Sequence, residues 1–366
     1  MKYSDLFLGV SRFMLIFIPG LVYLFTTLFM IIFRSKFLIF IILITFLAYF
    51  GASNISKISL DYEVYTSYFN SLSNISFIDV LSYPDPFFWL TAKFFNFLFG
   101  SGDFFNYFFI IFLSISLKVL IAKNNVQKFL IPIFLYLIFS RYLILHDYTQ
   151  VRASIAIGIN TLIFLNFIND GKISKFKIFL LLSSCFIHFS SVIFLPLYFL
   201  YKRISSDKSL LVLLYILVVS VIFGQFFSSI FQTLLEYFGW LNRLNVYLGS
   251  SSEGADQVKA YSIFQFYFLF KSFILFLLFK GYKSFSKIDR ILTSIFIIAM
   301  CIQAAFVFNS AIGLRLASLF GYIDILVFLF PLKYKYYINI HQIYYLLLFL
   351  VGGIFMYSSF NLIENI

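Results

Sequence analysis

The sequence predicts an all-α, polytopic integral membrane protein. Hydrophobic residues make up 62% of the 366 residues and charged residues only 11%, which is too little charge to cover the surface of a soluble domain of this length. The mean hydropathy is +0.98. Apolar runs of roughly 20 residues, the length that crosses a bilayer as a helix, recur along the chain. Lysine and arginine collect between those runs, as they do in membrane proteins.

Twelve apolar runs are candidate membrane helices. They are 6–33, 37–53, 86–100, 104–122, 129–146, 150–168, 176–201, 209–233, 263–281, 291–309, 314–332 and 340–359. The first run is too long for a cleavable signal peptide and lacks a small-residue cleavage site, so we expect it to be retained as a helix. We predict a single transmembrane domain over residues 1–366, with no separate soluble domain.

The charges between the runs decide which runs cross. If 86–100 and 176–201 do not fully cross, every basic segment lies in the cytoplasm, and the acidic segments 54–85 and 234–262 become outer loops. We therefore predict about 10–12 transmembrane helices with two broken or re-entrant elements. The basic segments contain Arg34 and Lys36; Lys118, Lys123 and Lys128; Lys172, Lys175 and Lys177; Lys202, Arg203 and Lys208; Lys280, Lys283, Lys287 and Arg290; Lys333 and Lys335.

Both exceptional runs have features of incomplete spans. Segment 86–100 is short and carries Lys93, and segment 176–201 is interrupted around His188, with Pro196 beyond. Broken helices occur at membrane depth only where they are buried in protein or line a wet cavity.

Several classes of function are excluded by what the sequence lacks. The net charge of +12 is distributed between apolar runs, which argues against nucleic-acid binding. Cys185 and Cys301 lie inside apolar runs, and the three histidines are far apart, so we expect no disulfide framework and no metal site. No Walker motif, Gly-rich phosphate loop or nucleophile elbow is present, and no cofactor is expected. Carboxylates are rare within the runs, Asp324 being the main exception, which weakens ion-coupled transport.

The arginines predict an outward-facing anion site. Arg141, Arg152 and Arg315 lie inside or at the outer ends of helices, and Arg243 lies in the outer loop. An arginine within a membrane helix costs about 2.5–3.5 kcal/mol and faces a cavity or a partner. Its guanidinium suits phosphate, so a pyrophosphate is the expected kind of ligand. The alternative is that Asp147 pairs with Arg141 or Arg152, whereas Arg315 has no acidic neighbour before Asp324.

Two further groups are candidates for chemistry. His188 lies at the break in 176–201 and is a candidate base for an acceptor hydroxyl; the alternative is a satisfied core histidine. Asp61, Tyr62 and Tyr65 interleave carboxylates with tyrosines, as sugar-binding surfaces do, although an interfacial aromatic belt has the same pattern. His146 lies in a turn before Arg152, where it is a candidate substrate contact or simply part of a helix cap.

The order of short motifs resembles the EpsG family of bacterial exopolysaccharide proteins, which is similar to Wzy-type O-antigen polymerases. The motifs are Asp61-Tyr62-x-x-Tyr65, Asp85-Pro86-x-Phe88, Val151-Arg152-Ala153-Ser154-Ile155-Ala156 and Phe186-Ile187-His188-Phe189-Ser190-Ser191, with Pro196 downstream. The resemblance covers residues 35–200 well and the remainder only through its helix pattern.

The resemblance implies a glycosyltransferase C-like membrane enzyme that polymerises oligosaccharide repeat units on undecaprenyl pyrophosphate, at the periplasmic face of the bacterial inner membrane. It implies that Arg152 and Arg315 bind the donor pyrophosphate and that His188 or Asp61 is the base. Substrate contacts would come from Arg141, Arg243, Tyr62, Tyr65, Asp85 and His146. The partners would be the lipid-linked oligosaccharide, membrane lipid and a polysaccharide chain-length regulator.

Other functions stay open on the sequence alone. A flippase or polysaccharide transporter would usually show two similar halves, which we do not see. A ligase that moves finished glycan to another lipid is hardly separable from a polymerase. An O-acyltransferase would be expected to carry a histidine near the inner face, and a scaffolding protein would not need arginine in its helices.

Overall fold

The structure is a computed structural model that describes residues 17–28, 36–59, 61–72, 75–83, 85–100, 103–224 and 265–364, with Leu15, Phe226, Ile230 and Thr233. The regular structure of these residues is helical, which confirms the all-α prediction. By length and composition, six of the described helices could cross a membrane, so the chain is a polytopic membrane protein. They are Phe40–Ile58, Asp103–Asn125, Lys128–Thr149, Val151–Asp170, Lys287–Ala305 and Tyr337–Asn361.

The chain forms two compact units, the first of which contains Met1–Leu195 and Asn339–Ile366. Its α-helices are α1 (Phe17–Leu28), α2 (Lys36–Ile58), α3 (Tyr62–Ser71), α4 (Phe77–Val80), α5 (Pro86–Phe99), α6 (Asp103–Asn125), α7 (Ile131–Tyr142), α8 (Val151–Asp170), α9 (Lys175–Ile187) and, after the second unit, α17 (His341–Glu364). Helix α6 packs against α2 and α8, and α7 packs against α17.

Helices α6 and α8 run parallel in close contact. Ser114 of α6 hydrogen-bonds Ser154 of α8, and one turn later Leu117 lies against Gly158. Because both residue numbers increase together, the N-terminal ends of the two helices lie on the same side. A Cβ atom on Gly158 would lie 2.9 Å from the Leu117 side chain, so this approach requires glycine.

The run 176–201 is broken where the sequence predicts. Helix α9 ends at Ile187, and His188 is extended, with φ −156° and ψ 111°. A 3-10 helix over Phe189–Phe194 follows, and then α10 over Leu195–Leu200. Helix α5 has 14 residues, a length of about 21 Å that is shorter than the hydrocarbon core. It therefore agrees with the prediction that 86–100 does not fully cross.

The second unit, Pro196–Ile338, contains the other α-helices that the structure describes with bounds. They are α11 (Asp207–Phe223), α12 (Phe266–Gly281), α13 (Lys287–Ala305), α14 (Ser310–Ser318), α15 (Gly321–Phe328) and α16 (Phe330–Lys333). The run 314–332, predicted as one span, is divided between α14, α15 and α16. Asp324 is buried and accepts from Lys271 and Tyr267, each at 2.9 Å. This pairing lets a carboxylate remain inside an apolar unit.

One prediction about an individual charge was wrong. Lys118, predicted in a cytoplasmic segment, is completely buried within α6 and donates to Asp147. Asp147 belongs to a buried π-helix over Leu143–Thr149. Lys118 lies one turn after Ser114 on the face of α6 that meets α8, where the carboxylate compensates its charge. The segment 54–85 is largely helical, through the end of α2, α3 and α4. The segment 234–262, with Arg243, lies outside the described residues.

Candidate active site

Asp85, a central residue of the candidate site, has an unusual backbone conformation. It precedes α5 with φ 58° and ψ 53°, the one positive φ of a non-glycine residue in the described chain. Aspartate tolerates this left-handed region better than most residues, yet such a conformation persists only where its surroundings hold it. The side chain does not cap α5. It instead reaches other elements of the unit.

The Asp85 carboxylate joins three parts of the first unit. Its Oδ2 accepts a hydrogen bond of 2.7 Å from Nη1 of Arg152, at the start of α8. Its Oδ1 accepts from the backbone N–H of Phe189 at 3.1 Å, just after the break that follows α9. Nδ1 of His188 lies 3.6 Å from Oδ2. The side chains of Arg152 and His188 are 25% and 27% exposed, so both can be reached from outside the protein.

Aromatic rings surround the Arg152 guanidinium. Its Cζ lies 5.2, 5.5 and 5.8 Å from the ring centroids of Tyr65, Phe88 and Trp89, within cation–π range. Its Nε also donates to the Tyr65 hydroxyl at 3.2 Å. A positive charge in the first turn of a helix is disfavoured by the helix dipole. Asp85 and the rings compensate for it, so this arginine is positioned by tertiary contacts rather than by α8.

Tyr65 connects Arg152 to the acidic start of α3. Burial raises the pKa of the Tyr65 hydroxyl; the Arg152 guanidinium opposes that rise and the Asp61 carboxylate adds to it. The phenol therefore stays neutral at physiological pH. The Asp61 carbonyl accepts the Tyr65 N–H at 2.9 Å, and Tyr62 lies with its ring centroid 6.0 Å from that of Tyr107. The predicted Asp61, Tyr62 and Tyr65 group thus lies beside Arg152.

The other predicted residues lie elsewhere. His146 is fully buried in the π-helix, with its ring centroid 4.7 Å from that of Tyr142, and its role as a substrate contact stays a prediction. Arg141 lies in the last turn of α7, and its guanidinium lies 5.6 Å from the centroid of the Phe355 ring of α17. Arg315 is exposed on α14 of the second unit, and its role as a donor contact stays a prediction.

The structure corrects the alternative offered for Arg152 and adds residues that the sequence did not single out. Arg152 pairs with Asp85, whereas Asp147 pairs with Lys118. The Trp89 ring and the Phe189 N–H were missed. Trp89 follows Asp85 by four positions, one turn along α5, and that spacing was the available signal. A backbone N–H has no sequence signal.

The fold and site define a class: a multi-pass membrane protein with a partly exposed Arg–Asp–His cluster at helix ends and at a helix break. Residues 37–365 match the model of the EpsG family, so the chain belongs to the EpsG family. The match includes the whole cluster, and membership supports a polysaccharide-polymerase-like role. No curated protein and no solved structure matches the chain.

Proposed function

We propose that the chain polymerises undecaprenyl-pyrophosphate-linked oligosaccharide repeat units at the periplasmic face of the bacterial inner membrane, with a glycosyltransferase C-like arrangement. The growing glycan would pass from its lipid pyrophosphate to the terminal hydroxyl of the incoming lipid-linked unit. The observation that carries this proposal is the meeting of Arg152, Asp85 and His188 in one partly exposed cluster.

Arg152 supplies the group that interacts with the leaving pyrophosphate. Its Nη1 is bound to Asp85 and its Nε to Tyr65. Within the described part of the chain, this leaves the N–H groups of Nη2 for an anionic ligand. The ion pair and the ring contacts fix the guanidinium before the substrate arrives. Fixed charges of this kind stabilise negative charge that develops in the transition state.

His188 supplies the base. Asp85 approaches Nδ1, so Nε2 is the nitrogen that takes the proton from the acceptor hydroxyl. The 3.6 Å separation from Asp85 is longer than a hydrogen bond, and catalytic contacts of this kind commonly tighten when substrate binds. Asp85 is then a positioning residue for both Arg152 and His188 rather than a substrate contact.

The reaction is a single displacement. The acceptor oxygen forms a bond to the anomeric carbon of the donor glycan, and the bond from that carbon to the pyrophosphate oxygen breaks. His188 receives the hydroxyl proton, and undecaprenyl pyrophosphate leaves with the bonding electron pair beside Arg152. Inversion at the anomeric carbon is expected.

Complementation of a deletion strain tests the proposal. The strain would receive the wild-type gene, Arg152→Ala, His188→Ala or the matched control Arg203→Ala, whose side chain is exposed and belongs to the second unit. Wild type and Arg203→Ala should restore long glycan on a gel, whereas the two cluster variants should leave a single repeat unit. Loss of every repeat unit, the first included, would point to a flippase or ligase, and full-length glycan in both cluster variants would contradict the assignment.

A further inference from the structure

The N-terminal turns of α6 present polar side chains that the proposed reaction does not use. Asp103, Asn106 and Tyr107 are three and four positions apart and share a face of the helix. Asn106 is 1% exposed and Tyr107 is fully buried. Within the described part of the chain, the Asn106 amide, the Tyr107 hydroxyl and Oδ1 of Asp103 have no hydrogen-bond partner. Each such group costs about 1–3 kcal/mol, so folding alone does not account for them.

Helix α3 completes the same cluster. Oγ1 of Thr66 makes no hydrogen bond of standard geometry among the described residues, although it lies within reach of the Tyr107 hydroxyl, which is also close to Asp103. Thr66 and Asp103 are partly exposed residues, although Oγ1 of Thr66 and Oδ1 of Asp103 are themselves buried, and Asn106 and Tyr107 are buried residues. The cluster is therefore a buried group of polar atoms whose edge residues are partly exposed.

This cluster lies beside the candidate active site and is displaced along the helix axes toward the N-terminal end of α6. Tyr65, which accepts from Arg152, is also close to Tyr107. Because Ser114 and Ser154 are level in the parallel helices, the rise per residue places Tyr107 about 8 Å beyond Arg152 along the helix axes.

We propose that Thr66, Asp103, Asn106 and Tyr107 bind the hydroxyl groups of the acceptor's terminal sugar. An amide donates and accepts, a carboxylate accepts and hydroxyl groups do both, which complements neighbouring hydroxyls on a sugar ring. The Tyr62 ring beside Tyr107 offers an apolar surface to the same ring. The subsite rests on the proposed function, and it holds the acceptor so that its hydroxyl faces His188.

Binding and rate measurements on the full-length protein in lipid nanodiscs test this subsite. The probe is the single repeat-unit oligosaccharide, released by mild acid from the lipid-linked intermediates of the deletion strain and labelled with tritium. Thr66→Val and Tyr107→Phe each remove one hydrogen-bonding group with little change of shape and should weaken probe binding about 3-fold. Asn106→Leu should weaken it about 10-fold. The KM for the acceptor should rise similarly, with a smaller change in kcat.

Matched controls are Thr91→Val on α5, whose hydroxyl donates to the Phe88 carbonyl, and Asn125→Leu at the other end of α6. Both should bind the probe as wild type does. Unchanged probe binding in all three subsite variants, or none in wild type, would show that the cluster holds only water and overturn the subsite. If wild type binds the probe, Asn106→Leu weakens that binding and wild type nevertheless makes no polymer, the subsite would be supported and the proposed polymerase would be excluded. If every subsite variant makes polymer with the wild-type KM for the acceptor, the polymerase would be supported and the subsite would be excluded.

Discussion

Arg152 and Asp85, which are 67 positions apart in the chain, form an ion pair of 2.7 Å between the starts of α8 and α5. Asp85 is almost buried, so removing the guanidinium leaves a carboxylate with one backbone partner, the Phe189 N–H. The same ion pair therefore contributes both to stability and to the proposed chemistry, and the two contributions can be separated.

A double-mutant cycle makes that separation. Arg152→Met should lower the thermal unfolding midpoint, because an uncompensated carboxylate costs about 1–3 kcal/mol. Asp85→Asn combined with Arg152→Met should recover much of that loss, since no charge remains unpaired. Glycan polymerisation should remain absent in the double variant. If the shifts in unfolding midpoint simply add, the pair does not contribute to stability as an ion pair. If the double variant also makes polymer, the pair has no role in the proposed chemistry.

Replacement of His188 should lower the rate far more than it lowers stability. His188→Gln keeps a polar side chain of similar size but cannot act as a base, and general base catalysis contributes about 10²–10⁴-fold. The readout is the initial rate of polymer formation by purified protein, with the thermal midpoint measured alongside. His341→Gln, at the start of α17, is the matched control and should retain the wild-type rate. Equal rates in the two variants would remove His188 from the mechanism.

Tyr65 should act as a neutral group across the usual pH range. Burial raises the pKa of its hydroxyl above the ordinary value of 10.0, so ionisation begins only at still higher pH and stability contributed by the neutral phenol is lost there. Tyr65→Phe removes the acceptor for Arg152 Nε and should lower the rate about 3- to 10-fold. The shape of the rate–pH profile between roughly pH 6 and 9 should not change. A rise or fall of the rate within that pH range that wild type shows and Tyr65→Phe lacks would contradict the role of Tyr65 as a neutral group.

The sequence predicted which residues form the cluster but not which of them pair with each other. Tyr65, Asp85, Arg152 and His188 lie in short motifs whose order is informative, and the break at His188 follows from polar residues inside an apolar run. The alternative considered for Arg152 was a pair with Asp147, five positions away in the chain, whereas in the structure Arg152 pairs with Asp85. Asp85 reaches Arg152 through a left-handed backbone conformation, which no residue pattern indicates.

Lys118 shows a second limit of sequence reasoning. The positive-inside trend describes lysines in segments between helices, whereas this lysine continues α6 and is neutralised by Asp147, 29 positions later in the chain. Such compensation depends on how two helices pack, and hydropathy does not record it. The same holds for Lys271 and Asp324 in the second unit.

The buried Lys118–Asp147 pair should be costly to break from one side. Lys118→Met leaves a fully buried carboxylate beside Ser114 and Ser154, which should destabilise the protein by about 3–5 kcal/mol. Lys118→Met with Asp147→Leu should recover most of that loss, because no buried charge then remains. Heating of detergent-solubilised protein followed by size-exclusion chromatography would report the difference. A single variant as stable as the double would show that the pair is not an ion pair.

Close contact between α6 and α8 should also be required for activity, because it sets the position of Arg152. Gly158→Ala would place a Cβ 2.9 Å from the Leu117 side chain. Overpacking costs about 1–3 kcal/mol, which exceeds the gain of up to about 1 kcal/mol from replacing a helical glycine. Gly20→Ala in α1 is the matched control, since its added Cβ meets no atom within 4 Å.

We expect Gly158→Ala to unfold at a lower temperature and to polymerise more slowly, and Gly20→Ala to match or slightly exceed wild type in stability. Moving α8 away from α6 displaces Arg152 from Asp85, whose hydrogen bond tolerates little change in distance. Leu117→Ala in the Gly158→Ala background should recover only part of the lost stability and rate, because it removes the Leu117 Cγ and Cδ1 atoms but leaves its Cβ 2.9 Å from the new Cβ. Gly158→Ala with wild-type stability and rate would show that the helices separate without affecting the cluster.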